Sequence, residues 1–383
     1  MEISSLISDF GWPLYRVIAI ILAIMAIIFV HEMGHYLVGR LCGIGASTFS
    51  LGFGPELFSY TDKRGMRWRL ALVPLGGYVK FIGDEDAASM ETKAGASHLK
   101  GSFAAANAWK RAATVFAGPF FNALFTVAIL SFFFFSYGRI VIEPVVGSLV
   151  DGAPASASGL MPGDRFKEIN GKPVESFQDL IAYVSFEGDK PVIFKMERND
   201  QFFNVTIRPE VTIRDDGFGN KVRVGMIGVG APTDPNNPMR IDPAYQKQMR
   251  YGFFTAISEA TDRSVFIVTQ TVKFIGRLII GQEDRCQLSG PSKTANIAWQ
   301  VSETGFMSLL NFTAFLSIGI GLINLFPVPP LDGGHLVFYL IEGIIGRPVP
   351  KPIQEFIFKI GLLAVLAFMI FAISNDYLCW FGG

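Results

Sequence analysis

Long apolar runs alternate with polar stretches along the chain, and four of the runs approach the length of a membrane-spanning helix. The first, PLYRVIAIILAIMAIIFV at residues 13–30, holds a single arginine. Because about 20 apolar residues in helical form cross the hydrocarbon core of a bilayer, the pattern predicts a polytopic α-helical membrane protein. The predicted spans are residues 13–36, 112–136, 306–328 and 353–374.

A cleaved signal peptide is the alternative interpretation of the first run. Such a peptide has an apolar core of about 7–15 residues, which leads into a cleavage site of small residues. The run here is longer and continues directly into the polar residues of HEMGH. We therefore expect the run to form the first span.

The pattern changes between the second and third spans, where residues 145–230 alternate apolar and polar positions around Gly, Asp and Pro. Alternation with a period of two is typical of β-strands, so a small β-rich domain is predicted there. A linker rich in Pro and Asn follows at residues 231–238. Residues 244–280 mix apolar and charged positions at helical spacing, which predicts an amphipathic helix along the membrane surface.

A second β element is predicted between the first two spans. Residues 56–81 alternate apolar and polar positions around the turn DKRG, as a β-hairpin does. An ordinary solvated hairpin is the alternative interpretation, but the apolar strand GGYVKF favours a membrane-associated hairpin. The chain thus divides into a first membrane half (1–144), a β-rich domain (145–230), a linker with an interfacial helix (231–300) and a second membrane half (301–383).

Lysine and arginine in the short loops predict the orientation of the spans, because these residues concentrate on the cytoplasmic side. The third loop contains Arg347 and Lys351, and the first loop is richer in both residue types. Loops one and three are therefore expected in the cytoplasm, with the β-rich domain and both termini on the periplasmic side. The basic residues of the first loop are Arg40, Lys63, Arg64, Arg67, Arg69, Lys110 and Arg111.

Composition agrees with a membrane protein, since 50% of the 383 residues are apolar and only 17% are charged. The formal net charge is +0 and no long run of one sign occurs, so nucleic-acid binding is not expected. Cys42, Cys286 and Cys379 are widely scattered. They are too few for a metal cage or a disulfide framework and indicate little about the redox compartment.

The clearest chemical signal is HEMGH, from His31 to His35, at the end of the first span. It matches H-E-x-x-H, in which two imidazoles at i and i+4 share one helix face and bind one metal ion, with Glu32 as the general base. Inside a membrane, ionisable groups are costly and face a protein interior or a water-filled cavity. The alternative, in which the histidines only cap the helix at the interface, leaves this grouping of three ionisable residues without a joint reason.

A catalytic zinc ion takes three protein ligands and keeps a fourth position for water, so one ligand remains to be found. His98 lies in a polar loop, where a solvated side chain is expected. The segment LDGGH at the end of the third span offers Asp332 and His335. An aspartate there is costly unless it is paired or bound to a metal, so Asp332 is the preferred third ligand. His335 is the alternative ligand, with a supporting or packing role otherwise.

Three features in this order resemble the site-2 protease family, in the bacterial form related to the regulator-of-sigma-E protease. They are HEMGH, then the stretch from GSLVDGAPASASGL to GDRFKEINGKPV, which is similar to a bacterial PDZ domain, and then the segment NLFPVPPLDG at residues 324–333, which matches N-x-x-P-x-P-x-x-D-G. The enterobacterial member has two tandem PDZ domains, whereas this chain has one such stretch. Claims about how that pair filters substrates therefore do not transfer.

The resemblance implies an intramembrane zinc protease in which His31, His35 and Asp332 bind the metal. It assigns to Glu32 the transfer of a proton from water to the leaving amine, while zinc polarises the scissile carbonyl. It also matches Asn122 to a family asparagine near the metal, which donates a hydrogen bond to the oxyanion. An amide that joins two helices is an equally good interpretation of Asn122.

A substrate helix hides its carbonyls in hydrogen bonds and must unwind locally before cleavage. By resemblance, the stretch with Asn324, Pro327 and Pro329 helps to bind the unwound segment. The strand at residues 76–81 can also pair with that segment as an extra strand. The strand residues expected to contact the substrate are Gly76, Gly77, Tyr78 and Val79.

The implied substrates are single-span membrane proteins already shortened outside the membrane, such as an anti-sigma factor, and leftover signal peptides. The PDZ domain is then expected to bind a peptide end, and the protein to lie in a Gram-negative inner membrane. Two other classes fit less well. A catalytically inactive membrane scaffold has no need of an intact Glu32, and a metal transporter requires more than two short ligand clusters.

Overall fold

The structure is a computed structural model that describes residues 12–83, 101–187, 190–215, 221–235, 237–281 and 285–381. His98, with its predicted solvated side chain, lies outside the described residues. The chain forms two compact units. One comprises Met1–Ser131, Ile257–Val268 and Ser289–Tyr377, and the other comprises Phe132–Ala256, Thr269–Leu288 and Leu378–Gly383.

Nine α-helices and fourteen strands occur among the described residues. The helices are α1 Trp12–Leu41, α2 Ala108–Ser136, α3 Pro154–Ala157, α4 Phe177–Glu187, α5 Phe253–Ile279, α6 Pro291–Glu303, α7 Phe306–Asn324, α8 Asp332–Ile345 and α9 Lys351–Phe381. The strands are β1 Ala46–Thr61, β2 Arg67–Phe81, β3 Arg139–Ile142, β4 Ser148–Leu149, β5 Arg165–Ile169, β6 Lys172–Pro173, β7 Val192–Arg198, β8 Gln201–Ile207, β9 Glu210–Asp215, β10 Lys221–Met226, β11 Val229–Gly230, β12 Thr233–Asp234, β13 Asn237–Ile241 and β14 Gln246–Met249.

Four of the described helices, α1, α2, α7 and α9, are long and apolar enough to cross a membrane. The prediction of a multi-pass α-helical membrane protein is thereby confirmed. The first of these helices continues past HEMGH to Leu41, and the third ends at Asn324, four residues earlier than predicted. Because proline removes a backbone donor and clashes with the preceding turn, Pro327 and Pro329 prevent α7 from continuing into α8.

The predicted hairpin is part of a larger sheet whose first strand begins ten residues earlier, at Ala46. Its outer residues 56–61 pair with residues 67–71 across the predicted DKRG turn. Residues 48–51 of β1 lie between two stretches of β2, residues 67–70 and residues 77–80. Gly52 and Gly54 have positive φ values of 86° and 87°, a conformation that glycine adopts without strain, and they let β1 bend between these pairings. Within the described chain, residues 77–81 therefore form an edge of the sheet.

The inner part of this sheet packs against α1 in one apolar cluster. Its buried members include Tyr36 from α1, Phe49 from β1 and Phe81 from β2. The outer part of β1 and β2 differs, because Leu57, Phe58 and other large apolar side chains are exposed there. The inner part therefore holds β2 beside α1, while the outer part presents an apolar surface.

The second unit contains the predicted β-rich domain. An antiparallel sheet in the order β6, β5, β7, β8 and helix α4 enclose a core in which Phe166, Phe194 and Met196 are fully buried. Buried Asp164 accepts two hydrogen bonds from Arg198, at 2.6 and 2.7 Å. Burial raises the pKa of the Asp164 carboxyl, but the bonds from Arg198 and from the Met161 N–H outweigh it, and its pKa lies below the ordinary value.

The segment that follows this domain differs from the prediction. The amphipathic helix begins at Phe253 and not at residue 244, since residues 246–249 form β14, which pairs with β3. Strand pairing there uses backbone groups that a helix needs for itself. The predicted linker at residues 231–238 also contains strand residues, because β12 pairs with β13.

Two of the three cysteines are bonded to each other. Cys286 and Cys379 form a disulfide with a Cα–Cα distance of 5.6 Å, although 93 residues separate them in the chain. The scatter of the three cysteines along the chain gave no indication of this single bond, which is fewer than a disulfide framework needs. Cys42 is a free, half-buried cysteine.

Candidate metal centre

Two imidazoles of α1 and one carboxylate of α8 meet in the first unit. His31 and His35 lie one helical turn apart, and their Nε2 atoms are 3.2 Å from each other. The Asp332 Oδ2 atom lies 3.0 Å from His31 Nε2 and 3.4 Å from His35 Nε2. Among the described residues, these three form the one group of His, Cys, Asp and Glu whose ligand atoms converge in this way.

The three distances fit a zinc ion. Zinc binds histidine nitrogen and carboxylate oxygen at about 2.0–2.2 Å with tetrahedral geometry, which places neighbouring ligand atoms about 3.3 Å apart. The observed separations of 3.0, 3.2 and 3.4 Å lie close to that value. In addition, Asp332 Oδ2 is buried and has no well-oriented hydrogen-bond donor among the described residues. A cation at this point satisfies that oxygen and both imidazole nitrogens.

Helix α2 orients one of the imidazoles. The Nδ1 atom of His35 lies 2.9 Å from the Thr114 carbonyl oxygen. Since a carbonyl only accepts hydrogen bonds, Nδ1 carries the proton and Nε2 presents its lone pair to the other ligands. Burial of the ring against α2 and this bond together hold His35 in the orientation that metal binding requires.

Gly118 of α2 leaves the space in which the imidazoles sit. A Cβ atom at position 118 would contact His35 Nε2 directly and would lie 2.8 Å from His31 Nε2. No larger residue fits there without displacing a ring, because real Cβ atoms do not approach a neighbouring atom that closely. Gly34 provides the same close approach from α1, where a Cβ atom would collide with the Ala117 carbonyl.

Asp332 is the first residue of α8, and tight packing fixes the start of that helix. A Cβ atom at Gly333 would collide with the carbonyls of Leu325 and Phe326, and one at Gly334 would lie 2.5 Å from the Pro329 nitrogen. The two glycines after the aspartate thus allow the turn at residues 325–331 to pack directly on the first turn of α8. Asp332 is thereby held at a defined point.

Glu32 lies between the two histidines and contacts β2. Its carboxylate accepts a hydrogen bond from the Val79 backbone N–H. Gly77 lies equally close, because a Cβ atom there would be 3.0 Å from Glu32 Cγ and 2.9 Å from Ile28. The edge of the sheet therefore reaches the side chain predicted to act as the general base.

A cavity of about 470 Å³ opens beside these residues. It is lined by the three converging residues, by Glu32 and by the four predicted strand residues, Gly76, Gly77, Tyr78 and Val79. Asn324 also reaches the cavity wall, as predicted. The other lining residues are Ile28, Phe53, Phe81, Phe103, Val115, Ile320, Pro330, His335 and Tyr339.

Three predicted site residues are not part of the cavity wall. Pro329 is packed between Gly334 and Gly361 of α9, and Pro330 lines the cavity instead of Pro327 or Pro329. Asn122 is fully buried, and neither polar atom of its side chain has a hydrogen-bond partner among the described residues. Its backbone carbonyl accepts hydrogen bonds from the Thr126 and Ser317 hydroxyls.

Sequence reasoning missed several residues of the site. Gly118 lies within an apolar span and carries no chemical motif. The Gly118-Pro119 pair in the middle of that span is a sequence signal that could have indicated close packing there. Phe53, Phe103 and Tyr339 line the cavity but carry no chemical motif. His335 lies on the cavity wall outside the group of three converging residues, and its ring faces that of Tyr339 at 6.4 Å.

Candidate membrane spans around a His-His-Asp group with an adjacent glutamate define the class of membrane-embedded zinc metallopeptidases. The comparisons with known proteins agree. The family model "Peptidase family M50" matches residues 19–368. A Bartonella henselae protein named "Putative zinc metalloprotease" is 64% identical, covering 93% of this chain and all of that protein. The chain belongs to peptidase family M50 and is a zinc metalloprotease.

Two less similar relatives also match most of this chain. A Brucella suis protein, also named "Putative zinc metalloprotease", is 44% identical over 94% of each chain. Metalloprotease MmpA of Caulobacter vibrioides is 32% identical over 95% of each chain. Among solved structures, a PDZ domain of an SdrC-like protein from Listeria monocytogenes is 23% identical, with a TM-score of 0.19, over 25% of this chain and 90% of that one.

The packing at Gly118 leads to the first prediction. Replacement Gly118→Ala should weaken zinc binding at least about tenfold, in the range seen when groups that orient metal ligands are changed, because the added methyl displaces one imidazole. Zinc content and affinity of detergent-purified protein measure this loss. Gly319→Ala is the matched control, since a Cβ atom at position 319 in α7 meets no neighbour within 4 Å. A Gly118→Ala protein with wild-type zinc affinity would contradict this account of the site.

Proposed function

We propose that this membrane metalloprotease cleaves the transmembrane segments of single-span membrane proteins, and that His31, His35 and Asp332 bind its zinc ion. The observation that carries the proposal is the meeting of three features on one cavity: the His-His-Asp group, Glu32 and the edge of β2. A protease for extended peptide segments needs all three. In this chain they occur within a unit that contains membrane-spanning helices.

The residues divide the chemistry among them. Bound zinc supplies the charge that polarises the scissile carbonyl and acidifies a water molecule. Glu32 accepts the proton of that water and delivers it to the leaving amine. The Val79 N–H holds the Glu32 carboxylate in place, and the Thr114 carbonyl holds His35.

The catalytic role of Asn122, as a hydrogen-bond donor to the oxyanion, stays a prediction. A fully buried amide without a partner is unusual, because an unsatisfied polar group costs about 1–3 kcal/mol. Its position one helical turn after Gly118 favours a role as hydrogen-bond donor near the reacting carbonyl. Since Asn122 is absent from the cavity wall, that role requires a rearrangement when substrate binds.

The unwound substrate is proposed to add to the sheet at Gly76–Val79. Residues 77–81 form a sheet edge, and an edge strand offers unpaired backbone groups to an extended peptide. Because the Val79 N–H faces Glu32 and not the sheet, a peptide bound along this edge lies beside the general base. Asn324, which also lines the cavity, is proposed to hydrogen-bond the same peptide.

The active site is proposed to lie toward the cytoplasmic side of the inner membrane. HEMGH lies near the C-terminal end of α1, and the basic first and third loops favour the cytoplasm for that end. The disulfide between Cys286 and Cys379 supports the opposite location for the loop after α5 and for the C-terminus, because disulfides persist in oxidising compartments such as the periplasm. The exposed apolar outer part of β1 and β2 is proposed to contact the membrane.

The β-rich domain at residues 145–230 is proposed to be a periplasmic PDZ domain that binds a peptide end. Its sequence pattern and its antiparallel sheet with two helices support this assignment. By family resemblance, the bound end belongs to a substrate that another protease has already shortened, such as an anti-sigma factor.

Separate variants test the assigned roles of Glu32 and Asp332. Glu32→Gln should keep its zinc and lose at least about 100-fold in cleavage rate, the lower range for general acid–base catalysis. Asp332→Asn should lose both zinc and activity, because a neutral amide replaces an anionic ligand. The measurements are cleavage of a purified single-span substrate and zinc content, with exposed Glu355→Gln as the control. Substantial cleavage by Glu32→Gln would exclude this mechanism.

Strand addition predicts a periodic effect along the substrate. When single residues of a transmembrane peptide are N-methylated in turn, cleavage should fall at least about fivefold at every second residue near the scissile bond, because a lost hydrogen bond contributes about 1 kcal/mol. The alternate residues point their N–H away from β2 and should tolerate the change. Exposed Glu355→Gln, which lies away from the cavity wall, is the enzyme-side control and should show the same periodic pattern as wild type. A uniform loss, or none, would argue against pairing with β2.

Thiol labelling tests the orientation. In intact spheroplasts, an impermeant maleimide should label Cys286 and Cys379 only after an impermeant reductant has been added, because both lie outside and are bonded to each other. Cys42 should react only after the membrane is dissolved and the protein denatured. A Cys42→Ser variant shows which signal belongs to which residue. Labelling of Cys42 in intact spheroplasts would reverse the proposed orientation.

A further inference from the structure

An ion pair joins the far end of α8 to the start of α2. The Nη2 atom of Arg111 lies 2.5 Å from the Glu342 Oε1 atom, and the two side chains are only 15% and 18% exposed. The Arg111 guanidinium also lies over the Tyr339 ring, 4.9 Å from its centroid, and its Nε donates to the Ala106 carbonyl at 3.1 Å. The arginine is thus held on three sides.

The position of Glu342 is not explained by helix stability. It lies in the last turn of α8, which ends at Gly346 with a left-handed conformation. Negative charge is unfavourable at this end of a helix, where the macrodipole is itself negative. A nearly buried carboxylate there also needs a partner to offset its desolvation. Arg111 supplies that partner, so the pair serves the attachment of α8 to α2.

The contacts between α8 and α2 extend to the cavity. Tyr339 lines the cavity together with His335, and its other face packs edge-on against Phe103, with 5.8 Å between ring centroids. Gly343 lies against Trp109, because a Cβ atom there would be 3.0 Å from the indole ring. The second half of α8 therefore packs on the first turn of α2 through charge, aromatic contact and a glycine.

Both connected helices serve the metal centre. Helix α2 provides Thr114 and Gly118, which orient and accommodate the imidazoles, and α8 provides Asp332 at its first position. Ten residues, or about 15 Å of helix, separate Asp332 from Glu342. A rotation of α8 about its axis therefore moves the carboxylate, and metal sites tolerate displacements of only about 0.5 Å.

We propose that the Arg111–Glu342 pair is a positioning device for the third metal ligand. It holds α8 in the rotation and axial position that keep Asp332 Oδ2 3.0–3.4 Å from the two imidazole nitrogens. This proposal rests on the ligand set given under the proposed function. Arg111 and Glu342 are positioning residues, since neither lines the cavity.

The test measures how fast purified, zinc-loaded protein releases its metal to a chromogenic chelator. Arg111→Gln and Glu342→Gln should each release zinc at least about tenfold faster than wild type, as other changes behind metal ligands do. The reversed pair, Arg111→Glu with Glu342→Arg, should recover most of the difference. The reversed pair keeps the number of basic and acidic residues near this end of the helices. The charge pattern that orients the spans in the membrane is therefore unchanged. For a single-span substrate, kcat should fall in the single variants while KM stays near that of wild type.

Arg16→Gln is the matched control. Arg16 pairs with Glu303 at 2.6 Å and lies over the Trp299 ring at 5.4 Å, so it makes the same two kinds of contact between α1 and α6. Its loss should leave zinc release unchanged. Equal acceleration by Arg16→Gln would show a general loss of stability and would overturn the proposal.

Other outcomes are equally decisive. Wild-type release rates in both single variants, or a reversed pair that releases zinc as fast as they do, would overturn the positioning role. Asp332→Asn is included as a reference, and if that variant retains zinc as wild type does, the ligand set fails and this proposal with it. Should the glutamine variants fail to fold, Arg111→Lys and Glu342→Asp take their place. They keep both charges but change the reach of the pair, and faster zinc release is again expected.

Discussion

Three buried ionisable side chains and one half-buried carboxylate lie together beside the membrane-spanning helices, and the packing of the first unit depends on satisfying them. His31, Glu32 and His35 come from one helix and Asp332 from another, and each is costly to bury alone. The Thr114 carbonyl and the Val79 N–H provide two of the partners, and the proposed zinc ion would provide the third. A helix, a turn and a sheet edge must therefore all arrive at one point, which constrains how the first unit can pack.

Glycine makes that convergence possible. Helix α1 approaches α2 at Gly34 and Gly118. The start of α8 packs on the preceding turn at Gly333 and Gly334. Close approach of backbones at small residues is the usual way in which membrane helices associate, because lipid offers no hydrophobic driving force between them. Gly118 allows such an approach and also leaves the room in which the two imidazoles lie, so helix packing and the proposed metal site depend on the same residue.

The sheet between the first two spans brings the proposed substrate-binding strand to the proposed general base. Its edge lines the cavity, and the backbone of Val79 in that edge contacts Glu32. An extended peptide that pairs with the edge, as proposed above, would therefore lie next to Glu32. Chemistry on a helix-forming substrate needs this coupling, since its carbonyls are accessible only in the extended form.

The sequence by itself indicated the spans and the three residues that converge in the structure, His31, His35 and Asp332, because each is marked by a short local pattern. Apolar run length marks a span, spacing of four marks a shared helix face, and an aspartate at membrane depth marks a functional group. Only the tertiary structure decided what depends on packing between distant segments. In that structure, Gly118 lies against the imidazoles and Pro329 packs between two glycines. Asn122 does not line the cavity, and Cys286 is bonded to Cys379 across 93 residues. No local pattern records such contacts, since they arise when side chains of separate elements compete for the same space.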